Sequence, residues 1–212
     1  MLSLVIGDKN LSSWSLRPWL VLKHYGLEFT EIRLQLDTPQ FKAQISRYSG
    51  ALSVPVLLDG ELRIWDSLAI VEYLNEQVAG RAWPADPLLR AHARSISAEM
   101  HSGFSALRLA WPMKTVGRNV HVPLPPAGRA DVARIKDIWH DCRSRYSALG
   151  PWLFGAFSIA DAMYAPVVLR FNHYGDGTLA LSKPASTYFD HVLQDPHMQS
   201  WMREAEQEVA AS

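Results

Sequence analysis

The chain has 212 residues, 48% hydrophobic and 20% charged, enough to bury a core in one large domain or two small ones. Lysine plus arginine equals aspartate plus glutamate at 21 each, so no net field draws it to nucleic acid or an anionic membrane. The single cysteine, Cys142, excludes an internal disulfide, a cysteine-rich zinc site and a CxxC redox pair.

The first residues, MLSLVIGDKN, are too short an apolar run for a signal sequence and lack a basic leader. No run approaches the roughly 18 apolar residues of a membrane span. A cytoplasmic protein is expected.

In chain order, Leu2 to Ile6 is an unbroken apolar run, read as a buried strand. SLRPWLVLKHYG reads as a helix, with Pro18 near its start and Gly26 after its end. LEFTEIRL follows as a strand, and TPQFKAQISRYS as a short helix with Thr38 as cap and Pro39 in its first turn. VPVLLDGELRIWD predicts a hairpin around Asp59-Gly60. DSLAIVEYLNEQVAG is amphipathic, with Ile70, Val71, Leu74 and Val78 on one face and Gly80 beyond its end.

After Gly80 the texture changes. RAWPADP reads as a linker. From Leu88 the patterns are helical: LLRAHARSISAEMHSGFSALRLAW as one segment, RADVARIKDIWHDCRSRYSALG after a proline-rich break, SIADAMYAPVVLRFNHY, and two shorter pieces around Pro196. The expected fold class is α/β plus all-α. A βαβαββα domain spans residues 1–80, a linker 81–87 and an all-helical domain 88–212.

Four stretches could carry chemistry. In NLSSWSLRPW, at least one of Ser12, Ser13 and Ser15 is expected to cap the helix. One cap does not require three hydroxyls, and a hydroxyl at a helix N-terminus also stabilises a bound thiolate. Lowering a thiol from about 8.5 to near 7 takes roughly 2 kcal/mol, within reach of one charge-assisted hydrogen bond plus a helix end. Ser53-Val54-Pro55 is either an ordinary edge-strand proline or a cis peptide that turns the Val54 backbone toward a peptide-like ligand. Asp66-Ser67 is a helix cap that can also seat a ligand carboxylate. Ser158 and Asp161 have capping-box spacing and read as structural.

The eight histidines form no HExxH and no tight cluster, so no metal is expected. Cys142 lacks a nucleophile signature, and Trp14, Trp19 and Trp139 read as packing.

Taken together, these stretches make the chain resemble the cytosolic glutathione S-transferase superfamily over nearly its whole length. SSWSLR, at Ser12, Ser13, Ser15 and Arg17, is similar to the SSxSxR serine motif of the zeta, or maleylacetoacetate isomerase-like, class. Val54-Pro55 resembles the cis-proline loop, Asp66-Ser67 the acidic-Ser clamp, and FSIADA the helical domain's capping box. The resemblance implies a thioredoxin-like first domain, a homodimer, and glutathione as co-substrate without a metal.

Glutathione would be held by Ser15, Lys42, Ser53, Val54, Pro55, Asp66 and Ser67, its thiol facing Ser12 or Ser13. The zeta motif favours Ser12, which is preferred, and theta-type spacing favours Ser13. Met100, His101, Phe104, Leu107, Arg108 and Trp111 would line the electrophile pocket, because the 100/104/107/111 spacing forms one helical face; the same stripe also suits a core. The expected activity is conjugation of the glutathione thiolate to small hydrophobic electrophiles. The alternatives are a maleylacetoacetate-type cis–trans isomerase and a non-catalytic interaction module.

Trp14 replaces the zeta cysteine. The zeta arginine late in the helix after the capping box falls about at His173-Tyr174, with Arg170 earlier, which sets isomerisation in doubt unless Arg108 or Arg170 substitutes.

Overall fold

The computed structural model describes residues 1–118, 120–175 and 179–211. Strands β1 (Leu2–Ile6), β2 (Phe29–Arg33), β3 (Val56–Asp59) and β4 (Leu62–Trp65) form one sheet in the order β2-β1-β3-β4. β1 runs parallel to β2, Leu2 opposite Phe29, and antiparallel to β3, Leu2 opposite Asp59. The β3–β4 hairpin turns at Gly60, whose φ of 57° is left-handed, as the Asp-Gly pair predicts.

Helices α1 (Ser13–His24), α2 (Phe41–Ile45) and α3 (Ser67–Gln77) alternate with these strands. The remaining elements are helical: α4 (Pro87–Ser102), α5 (Ser105–Ala110), α6 (Pro126–Tyr146), α7 (Ile159–Tyr174), α8 (Lys183–Gln194) and α9 (Pro196–Ala210).

The main core cluster runs from Leu4 and Trp19 beside the sheet to Trp139, Tyr164 and Trp201 among the helices, without interruption. A smaller cluster of Val5, Leu34, Ile45 and Val56 fills the other sheet face. α1 is the hinge of the packing, lying against α3 on one side and α7 on the other. Among the described residues no helix is long and apolar enough to cross a membrane.

Three local expectations change. Thr38 does not cap α2; its hydroxyl donates back to the Gln35 carbonyl, and α2 starts after Gln40. Asp86 and Pro87, read as linker, are the start of α4: the Asp86 carboxylate accepts from Leu88 and Leu89 N–H at 2.8 and 3.0 Å.

The long helix read over residues 88–111 is broken. α4 stops at Gly103, Phe104 adopts a left-handed φ of 58°, and α5 begins anew. A Cβ on Gly103 would sit 2.8 Å from the Glu99 carbonyl, so only glycine lets the chain leave the helix along this path. The break sets the 100/104/107/111 stripe on two axes rather than one face.

The capping box forms as read. Asp161 accepts from the Ser158 backbone and hydroxyl at 2.9 and 3.0 Å and from Leu153 N–H at 2.9 Å.

Candidate active site

The loop between β1 and α1 is pinned from the helical side. Asn10 Oδ1 accepts from Thr115 and Val116 N–H, both at 2.9 Å, and the Thr115 hydroxyl donates to the Lys9 carbonyl at 2.9 Å. Lys9, almost wholly buried, pairs with Glu31 at 2.6 Å and with Glu204 of α9. The serines are therefore presented by a loop tied at both ends.

Their hydroxyls are used differently from the expected cap. Ser12 holds the N-cap position by backbone, its carbonyl accepting from Leu16 N–H, but no serine side chain caps α1. The Ser12 and Ser15 hydroxyls bond each other at 2.7 Å, and Ser15, fully buried, accepts from Gly7 N–H at 3.2 Å. Ser13 accepts from the Arg170 guanidinium at 3.3 Å, across 157 positions of chain. A guanidinium only donates, so the Ser13 proton is left to point elsewhere.

Ser12 and Ser13 open on a cleft of about 410 Å³, with Trp14, Val54, Arg108 and Arg170 among its walls. A second cleft of about 320 Å³ adjoins it and shares Trp14, Ser53 and Val54. Its other walls are Pro55, Asp66, Ser67 and His101. The Val54–Pro55 peptide is cis. The clamp lies at the start of α3. Asp66, at a left-handed φ of 75°, caps the helix by accepting from Leu68 and Ala69 N–H at 2.8 and 3.2 Å. Ser67 Oγ beside it is buried and has no partner among the described residues, an orphan that a ligand carboxylate fits.

Arg17, Arg108 and Arg170 gather behind this surface. The guanidinium carbons of Arg17 and Arg108 stand 4.1 and 4.8 Å from the Trp14 ring centroid. Arg170 donates to the Trp111 carbonyl at 2.7 Å, Arg108 to that of Met100, while Arg17 Nε and Nη1 have no partner among the described residues. Among the described residues none of the three forms an ion pair. Burial, then the neighbouring Arg108 and Arg170 charges, hold the Arg17 pKa well below its ordinary value. Burial and Arg108 push Arg170 down to about 10. Two buried cations beside a half-buried third favour a bound anion.

Of the residues the sequence nominated, Ser12, Ser13, Ser53, Val54, Pro55, Asp66, Ser67, His101 and Arg108 line the two clefts. Lys42 is exposed and lines neither; the neighbouring Phe41 does. Met100, Phe104 and Leu107 are buried in the core. Trp111 faces a separate cavity of about 230 Å³ against Tyr174 and Val122. Trp14, read as packing, is one of three walls common to both clefts, with Ser53 and Val54. Arg17 reaches the Trp14 ring from one turn along α1, a local contact, whereas the Arg170–Ser13 bond is tertiary, and Arg170 was read only as a stand-in for the zeta arginine. Among the described residues no three His, Cys, Asp or Glu side chains gather as a metal site.

The comparisons with known proteins place this architecture. Residues 11–77 match the glutathione S-transferase N-terminal domain family, and the chain has the glutathione transferase fold. It is similar over 97% of its length to a Burkholderia glutathione transferase homologue solved with bound glutathione, covering 98% of that chain at 23% identity and a TM-score of 0.73. It is also similar to glutathione transferase F2 of Populus trichocarpa, at 16% identity, 98% and 100% coverage and a TM-score of 0.70.

In sequence it is 35% identical over 113 residues to rat maleylacetoacetate isomerase, and 37% identical over 97 residues to a probable maleylacetoacetate isomerase of Caenorhabditis elegans. These alignments cover 52% and 45% of this chain and 52% and 44% of those proteins, so the chain spans about half the length of the curated relatives it matches. The zeta-like resemblance agrees with these relatives.

Proposed function

We propose that the protein binds glutathione along the two joined clefts and activates its thiol as a thiolate for addition to a small electrophile. The observation that carries this is the Arg170–Ser13 bond. Ser13 has spent a lone pair on a cation, so its one proton is free to donate to a sulfur in the cleft, and the guanidinium behind it adds positive charge. Both favour the ionised thiol. Ser12 is the supporting hydroxyl, since it shares its bond with Ser15. The γ-glutamyl carboxylate goes to Ser67, its ammonium to Asp66, and the cysteinyl backbone to Val54, in keeping with a Burkholderia neighbour that holds glutathione.

The proposal includes a sheet-bearing part over residues 1–80 and a helical part that opens with the Asp86 cap of α4, a cytoplasmic location and a homodimer. Exposed Leu62, Trp65 and Leu88 are apolar surface that a second copy would cover.

A second reading is favoured by the arginines. Arg108 and Arg170 line the thiol-side cleft and form no ion pair among the described residues, which suits a carboxylate-bearing electrophile, and the curated relatives are maleylacetoacetate isomerases. In that reaction the thiolate adds to a double bond, rotation follows, and the thiolate leaves again, so glutathione is regenerated.

Steady-state turnover of an aryl halide and of maleylacetoacetate tests the two readings, using wild type, Arg108→Met and Arg170→Met. Turnover of the aryl halide alone supports conjugation. Isomerisation that loses at least about tenfold in kcat/KM with either arginine variant, the size of one charge-assisted hydrogen bond, supports the second reading. Failure to turn over or bind glutathione at all would leave a non-catalytic interaction module.

A further inference from the structure

His101 approaches from the end of α4 and lines the clamp-side cleft rather than the cleft of the serines. Its Nε2 lies 3.1 Å from Asp66 Oδ2, and its ring stands edge-on to Trp14 at 5.5 Å between centroids. Its Nδ1 is buried with no partner among the described residues.

The count of acceptor sites at Asp66 gives this contact a consequence. Oδ1 already accepts two amides, from Leu68 and Ala69, which uses both its lone-pair directions. Oδ2 is the oxygen left for an incoming ammonium, and it is the one His101 holds. The buried Arg17 charge acts on the same carboxylate through space. Ser67 Oγ next to it is unclaimed, so the subsite offers an open place to a ligand carboxylate and a contested one to a ligand ammonium.

We propose that His101 is an internal competitor for the ammonium subsite. The helical part of the molecule puts a nitrogen donor on the Asp66 oxygen that the γ-glutamyl ammonium requires, and so sets glutathione affinity below what the clamp alone would give. This rests on the reading of the clefts as a glutathione site. It makes His101 a specificity residue: it penalises ligands that bring an ammonium to Asp66 and leaves alone those that bring only a carboxylate to Ser67.

The test compares two ligands by calorimetry, glutathione and glutaryl-cysteinyl-glycine, which lacks only the α-amino group. They are titrated into wild type, His101→Ala, His101→Leu (which keeps apolar contact with Trp14) and His101→Gln (which keeps an N–H donor). The expected result is that Ala and Leu tighten glutathione by about three- to fivefold, the scale of one partly exposed polar contact, with the glutaryl analogue unchanged and Gln close to wild type. Weaker binding of both ligands to Ala and Leu would overturn the proposal, since His101 would then only hold Asp66 in place. Equal tightening of both ligands would overturn it too. If wild type bound neither ligand, the glutathione reading would fall and take this proposal with it.

Discussion

At the scale of single residues, the site is a set of polar atoms whose partners are missing or shared. Ser67 Oγ is the clearest, buried with no partner among the described residues. Ser67→Ala is predicted to weaken glutathione by roughly ten- to a hundredfold, the worth of one hydrogen bond to a charged group, with the fold unchanged by circular dichroism. Cys142 is the opposite case. Burial pushes its thiol up to about 12, so the native protein should leave it unmodified by a thiol reagent and the denatured protein should titrate one equivalent; modification of the native protein would contradict this. The serines, the cis-proline loop and the clamp were legible in sequence because each is a local signal with a local physical cause. Trp14 and Arg17 were not read as site residues, Arg170 was read only as a stand-in for the zeta arginine, and His101 was read into the other cleft. Their roles exist only where α1, α3, α4 and α7 meet.

At the scale of elements, α7 is the beam that carries Arg170 to Ser13, and its start is fixed by the capping box. Asp161 is buried and its carboxyl is pushed up to about 6, burial outweighing the bonds from Leu153 and Ser158. A folded value above the unfolded one means the native state holds the proton more tightly. This contribution to stability is complete below about pH 4 and is lost as pH rises through about 6. Relative to Asp161→Asn, wild type should therefore lose roughly 3 kcal/mol of unfolding free energy between those limits, measured by denaturant titration at each pH. A difference independent of pH would contradict it. Ser158→Ala should cost about 1 kcal/mol. Element order and the capping box could be read from periodicity and turn residues. The break at Gly103 could not, because SGFS carries no proline and its apolar spacing runs straight through. Nor was Asp86-Pro87 read as a helix start, since the same pair also suits a linker.

At the scale of the whole molecule, the sheet and the helices share one core. Trp201 of α9 is fully buried, meets Trp19 of α1 at 5.2 Å edge to face, and donates to the Lys9 carbonyl at 2.9 Å. Heat should unfold both parts in one transition. Trp201→Ala should cost about 3–5 kcal/mol and weaken glutathione as well, because the loop that carries Ser12 and Ser13 is tied to α9 through Lys9. Two separate transitions by calorimetry would contradict a shared core. The composition shift after Gly80 marks the end of the sheet-bearing part, yet it hides this continuity, which depends on contacts such as Lys9 to Trp201 across 192 positions.

The measurement that bears most directly on the account is the ionisation of bound glutathione. Thiolate absorbance is followed across pH for wild type, Ser12→Ala, Ser13→Ala and Arg170→Met. The expected result is a bound-thiol pKa well below the free value of about 8.5, raised by Ser13→Ala and by Arg170→Met and less by Ser12→Ala, with turnover rising through the same pH range. Tight binding with an unshifted thiol, or a lowered pKa that neither Ser13→Ala nor Arg170→Met moves, would contradict it.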